Sequence, residues 1–117
     1  MSRPFNASWL ATCAEAAKTL RAAGLRPWIS LEPVKDSNMT ANRAFWLNPP
    51  LEQMRSALRQ VGAVGWNFDW ECNGTPEDEA AYLSFLTRAR AALGAPTVVD
   101  ANGNGCIKDY SKLAKAT

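Results

Sequence analysis

The sequence contains no histidine. Within this chain that excludes Ser-His-Asp and Cys-His catalysis, HExxH zinc sites and imidazole proton shuttles. Acid–base chemistry near neutral pH then falls to carboxylates, Lys, Cys or Tyr. Cysteine is scarce as well: Cys13, Cys72 and Cys106 stand far apart, with no CxxC pair, which argues against a zinc site. One disulfide with one free thiol and three free thiols both fit that count. Neither sign of charge is in excess. Thirteen Lys and Arg against eleven Asp and Glu leave a net charge of +2, so neither nucleic acid nor an acidic membrane surface is an expected partner. No apolar run approaches the ~18 residues of a membrane span. The opening stretch MSRPFNASWLATCAEAAK lacks the apolar centre of a signal peptide. The chain is therefore expected to be cytosolic as it stands, or to take an export signal from outside this segment. Sequons at Asn6, Asn38 and Asn73 hint at a secreted or lumenal parent.

What is present fits one segment, 1–117, with a real core: 47% of residues are hydrophobic and 21% charged. Residues 8–23 read as a helix. Leu10, Cys13, Ala17, Leu20 and Ala23 fall near one face, Ser8 can cap the start, and Gly24 stops it. RPWISLEP follows as a short strand. VKDSNMTANRAFWLNP reads as a polar loop. It leads to a second helix over 50–61, with Pro50 in the first turn and Gly62 at the end. VGWNFDWE, residues 64–71, is the second strand. CNGTP opens a third helix over 77–93, acidic at its start and carrying Arg88 and Arg90 near its end, as the macrodipole favours. PTVVDA is a third strand, NGNGCIKD a loop, and YSKLAKAT the start of a fourth helix. Strands alternating with helices predict an α/β fold with parallel pairing through right-handed crossovers.

VGWNFDWE sets Val64, Trp66, Phe68 and Trp70 on one face and Asn67, Asp69 and Glu71 on the other. In a parallel sheet the aromatic face packs under helices. In a barrel the polar face then points to the interior, near its carboxyl-end mouth. The alternative is an antiparallel strand with its polar face in water. Asp69 and Glu71 lie about 6.6 Å apart along the strand. Two such carboxyl groups do not both ionise easily, which yields a general acid without histidine. Asn67, one step deeper, can hydrogen-bond Asp69. The other strands also finish in acids. Ser30 and Glu32 share a face of the first, and Asp100 follows the third, so Glu32 and Asp100 are candidate pocket residues or, equally, caps for the following loops.

These residues carry a resemblance. VGWNFDWE resembles the DGxDxDxE signature on the fourth barrel strand of glycoside hydrolase family 18, the chitinases and relatives such as chitobiase. Gly65, Asp69 and Glu71 match, while Val64 and Asn67 stand where the family usually has Asp. The helix EDEAAYLSFLTRARAALG and the next strand TVVDA, leading to DYSKLA, are similar to the family too, so the likeness runs from about Pro27 onward. It implies a section of a (β/α)8 TIM barrel, about three parallel strands of it, since a whole barrel takes about 250 residues. It implies Glu71 as the general acid/base and Asp69 as the group that orients the substrate's N-acetyl arm, which attacks the anomeric carbon itself. Asn67 can bond Asp69 but cannot share a proton with it. The implied substrate is an oligosaccharide of β-linked N-acetylglucosamine, with no metal or organic cofactor. A three-stranded section would leave strand edges and the polar face open and is not expected to be efficient alone.

Two readings from other classes compete. DANGNGCIKDYS, residues 100–111, resembles an EF-hand calcium loop at Asp100, Asn102, Asn104, Gly105 and Ile107. Ser111 at the last position, Lys108, and the strand-like APTVV in front oppose it. The third reading is a non-catalytic carbohydrate-binding or structural α/β segment. Among its five tryptophans, Trp46 in the expected loop can stack on a sugar or close over the core. Glu71→Gln separates these readings, because it removes hydrolysis while leaving sugar or calcium binding nearly intact.

Overall fold

A computed structural model describes residues 5–31, 39–70, 75–99 and 110–116. In chain order the elements are α1 (Ala7–Ala22), β1 (Trp28–Leu31), α2 (Met39–Leu47), α3 (Leu51–Val61), β2 (Gly65–Phe68), α4 (Pro76–Leu93), β3 (Thr97–Val99) and α5 (Tyr110–Ala116). The three strands form one sheet in the order β1-β2-β3, and both neighbouring pairs are parallel. The α/β class and the parallel pairing are those expected from the alternation. The antiparallel alternative for VGWNFDWE is excluded.

Local chemistry explains most boundaries. Asn6, not Ser8, caps α1: its side-chain oxygen accepts the Trp9 N–H at 2.8 Å. Gly62 ends α3 in the left-handed conformation, at φ 73°. Thr75 caps α4 with a reciprocal box to Asp78, and Pro76 takes the first helical position, where its missing N–H costs nothing. One element corrects the expected loop. Residues 39–47 form α2, which packs against α4.

Register places Ile29 beside Trp66, Ser30 beside Asn67 and Leu31 beside Phe68. Ile29, Leu31, Trp66 and Phe68 therefore share one face, and all four are buried. Trp70 continues that face beyond the strand. Its ring meets Phe45 and Trp46 of α2 and Tyr82 and Phe85 of α4, at centroid distances of 5.6, 5.9, 5.8 and 5.8 Å. Phe68 packs edge-on to Phe85 at 4.9 Å, and Phe5, just ahead of α1, sits edge-on to Trp66 at 6.0 Å. Edge-to-face and offset contacts of this kind are what aromatic quadrupoles favour. The three aromatics of VGWNFDWE thus sit at the centre of the core, as the alternation implied.

Candidate functional site

The second sheet face differs. Alternation puts Trp28 and Ser30 of β1, Gly65 and Asn67 of β2, and Val98 of β3 on it. Trp28, Ser30 and Val98 are exposed and Asn67 is half-buried, so the strands bring no buried apolar side chain to this face. A parallel sheet normally has both faces covered. The ladder continues one step past β2, because the Asp69 N–H donates to the Leu31 carbonyl at 2.9 Å. Asp69 therefore follows Asn67 on this less covered face, at the carboxyl end of the sheet, and is half-buried. The Asn67 side-chain amide donates to the Ser30 hydroxyl at 3.4 Å, a long bond that bridges the two strands.

The backbone on either side of 71–74 is firmly tied. Upstream, the Trp70 indole N–H donates to Asn42 Oδ1 of α2 at 3.2 Å, within the core. Downstream, Asp78 Oδ2 accepts the Thr75 N–H at 2.8 Å and the Thr75 hydroxyl at 3.0 Å. Asp78 Oδ1 accepts from Arg43 of α2, with Nε at 2.7 Å and Nη2 at 2.5 Å. The Thr75 backbone bond, then the Arg43 guanidinium and the Thr75 hydroxyl, hold the Asp78 carboxyl below its ordinary pKa. Burial works against them and loses. At the same end of α4, Lys112 of α5 reaches Glu79 at 3.5 Å. The two points at which the chain leaves β2 and enters α4 are thus joined through adjacent residues of α2, Asn42 and Arg43.

Of the residues singled out from the sequence, Asn67 and Asp69 share one face of β2 and its continuation. Glu71, Glu32 and Asp100 lie outside the described residues, as does the calcium-loop stretch from Asp100 to Asp109. That stretch follows a strand, β3, rather than the incoming helix of a helix–loop–helix site. Among the described residues no three His, Cys, Asp or Glu side chains gather as metal ligands. Trp46 corrects the loop expectation. It lies on α2, is 0% exposed, and stacks on Tyr82 at 4.9 Å, so its ring is core and offers no free face. Asn42, Arg43 and Asp78 carry no signal of this arrangement in the sequence beyond the cap. Thr75-Pro-Glu-Asp is a legible capping box, but nothing in the local pattern announces that Arg43 crosses from α2 to meet it. Comparison with family models, curated proteins and solved structures finds no match to this chain.

Proposed function

We propose that this chain is the catalytic section of a glycoside hydrolase similar to family 18, acting on β-linked N-acetylglucosamine sugars. One observation supports this most: Asn67 and Asp69 alternate onto the less covered face at the carboxyl end of the central parallel strand, beside Ser30. Barrel enzymes gather their working groups at that end, on the face turned to the barrel interior. In this reading β1, β2 and β3 are consecutive barrel strands, and the helices pack outside them.

The roles follow from the chemistry available without histidine. Glu71, two residues beyond Asp69, donates a proton to the glycosidic oxygen and later takes one from water. Asp69 accepts a hydrogen bond from the N-acetyl N–H. This turns the acetyl oxygen toward the anomeric carbon and stabilises the positive charge that develops on the ring formed there. Asn67 cannot hold a negative charge beside Asp69. The pair therefore lacks the mutual repulsion that two carboxylates at these positions would have.

The test is hydrolysis of a fluorogenic chitobioside by the purified chain, with Glu71→Gln as control. The variant is isosteric, keeps the hydrogen-bonding reach and removes the transferable proton. A loss of about a hundredfold or more in turnover is expected, the scale of general acid catalysis. Equal turnover by both forms refutes the role given to Glu71.

A further inference from the structure

Helix α1 carries an apolar stripe that its own core leaves over. Its buried residues, Leu10 and Ala17, serve the core beside α3, the helix that α1 packs against. Arg21 reaches the same neighbour, donating to the Val61 and Gly62 carbonyls at 3.3 and 2.7 Å. Trp9, Cys13, Ala16 and Leu20 stand about a quarter-turn away and within about 60° of one another, at 100° per residue. Trp9 and Cys13 are half-buried, and Ala16 and Leu20 are exposed. Thr12 and Thr19 border the stripe, and their hydroxyls donate back to the Ser8 and Glu15 carbonyls of their own helix. Glu15 and Lys18, the other charged residues of α1, fall on the far side of the helix.

Beside this stripe runs the outer edge of the sheet. β1 is an edge strand. The Pro27 and Leu31 carbonyls accept from Val64 and Asp69, so they point inward to β2. Alternation then turns the N–H and C=O groups of Trp28 and Ser30 outward, where no strand among the described residues pairs. The Trp28 indole does not screen them. It leans inward over Gly65, where a built Cβ would stand 2.5 Å from Trp28 Cζ3. A cavity of about 240 Å³ separates stripe from edge, lined by Trp9, Cys13, Leu20, Trp28 and Ile29 among others. An unpaired edge beside an overhanging apolar helix is a seat for one more strand with a helix of its own.

We infer that a second copy of this chain takes that seat, in a two-fold dimer that joins two three-stranded sheets through β1. Both parts of the surface are self-complementary. A two-fold axis through Ile29, perpendicular to the sheet, sets the two β1 strands antiparallel. Trp28 then lies opposite Ser30 of the second copy, and Ser30 opposite its Trp28. Both pairs exchange both N–H···O bonds through the outward groups. The same axis reverses α1, so Trp9 meets Leu20 and Cys13 meets Ala16, in both directions. The large residues stand at the ends of the stripe and the small ones at its centre, where the two helices approach most closely. No charged side chain of α1 faces its copy, so like charges do not oppose the contact. α1 is about 24 Å long and the helix-on-strand wall about 20 Å tall, so each copy covers roughly 500 Å², and the total of roughly 1,000 Å² meets the lower bound of a specific interface. The inference is independent of the sugar reading, because it uses the outer edge of β1 and leaves Asn67 and Asp69 on the open face.

The experiment is sedimentation velocity of the 117-residue chain from about 1 to 300 µM, the range in which an interface of this size dissociates. The mass should rise with concentration from 12.8 kDa to twice that value and stop there. Ala16→Arg puts a charge at the centre of the stripe and should weaken association about tenfold or more. Ala11→Arg, on the opposite side of α1, should stay within about twofold of wild type. Ala11 and Ala16 are both exposed, so neither change disturbs the core. Ser30→Pro removes an outward N–H, which an edge strand tolerates, and should weaken association about threefold or more. Circular dichroism checks that each variant is folded. A monomer at every concentration overturns the inference. Growth past the dimer means head-to-tail pairing of β1 with β3 and overturns it too. Wild-type association in Ala16→Arg takes α1 out of the contact and refutes the dimer drawn here. Loss in Ala16→Arg with none in a folded Ser30→Pro leaves a helix pair without the strand, which overturns the joined sheet.

Discussion

Gly65→Ala tests the packing on which the open face depends. The new methyl would stand 2.5 Å from Trp28 Cζ3, whereas carbon atoms rest at about 3.5–4.0 Å. Trp28 is 39% exposed and can swing outward by the missing ångström. The second obstacle is the Pro96 carbonyl, which is backbone and cannot swing. It accepts the Trp66 N–H at 3.1 Å where β2 meets β3. Overpacking against such a neighbour costs about 1–3 kcal/mol. That is a large share of the ~5–15 kcal/mol that holds a domain folded. At roughly 4 °C per kcal/mol, the melting temperature should fall by about 4–12 °C. Urea denaturation followed by circular dichroism should show a lower midpoint at unchanged slope. The double variant Trp28→Ala/Gly65→Ala separates the two obstacles. It should cost about 0.5–1 kcal/mol less than the sum of the single variants, since the indole clash is gone and the carbonyl clash remains. Gly24→Ala serves as a control. It has open space around it and φ 79°, so it should cost only the left-handed penalty of about 1–2 kcal/mol and show no coupling to Trp28. Strict additivity in the double variant, or a Gly65→Ala protein as stable as wild type, refutes this account of the Trp28 seat.

The other expectations concern the core and the approach to residues 71–74. Trp46 and Trp70 are both buried, but only the Trp70 indole donates, to Asn42, while Trp46 Nε1 has no partner among the described residues. Trp70→Phe should therefore destabilise more than Trp46→Phe, by about 1 kcal/mol in urea midpoints, because only the former breaks a hydrogen bond. Phe85→Ala empties the meeting point of Phe45, Phe68, Trp70 and Tyr82 and should cost about 3–5 kcal/mol by the same assay. Asp78 is held below its ordinary pKa, so the folded chain binds fewer protons there than the unfolded chain in acid. Its contribution is full above the ordinary carboxylate pKa near ~4 and fades as pH falls through the lowered value. Denaturation midpoints measured from about pH 7 down to pH 2 should drop less in Asp78→Asn than in wild type. A parallel drop in both refutes the linkage.

Strand β2 was legible because two strong signals agreed in it. Period-two alternation placed Trp66, Phe68 and Trp70 together, and flanking helical patterns required parallel pairing. Helix α2 was not. Its apolar residues Phe45, Trp46 and Leu47 run consecutively instead of recurring every third or fourth position, and Leu47 is in fact 57% exposed. Its polar opening reads as a loop. What makes it a helix is tertiary: Phe45 and Trp46 fill the space between Trp70, Tyr82 and Phe85, and Arg43 meets Asp78. The site divides in the same way. Asp69 and Asn67 could be assigned to one face from spacing alone. The seat of Trp28 on Gly65 depends on register between β1 and β2; the apolar alternation fixes which face each strand buries but leaves a shift by two residues open.

The order of strands across the sheet equals their order along the chain. During synthesis each strand emerges next to the edge that awaits it, and no later strand has to wedge between two earlier ones. The core does not mature at the same pace. Phe68 and Trp70 leave the ribosome before Tyr82 and Phe85, which pack against them from α4. A nascent chain halted between β2 and the end of α4 displays Phe68 and Trp70 without that cover, which is the kind of surface chaperones bind. Synonymous changes that slow translation across α4 should therefore lower the yield of soluble protein more than the same delay placed after β3.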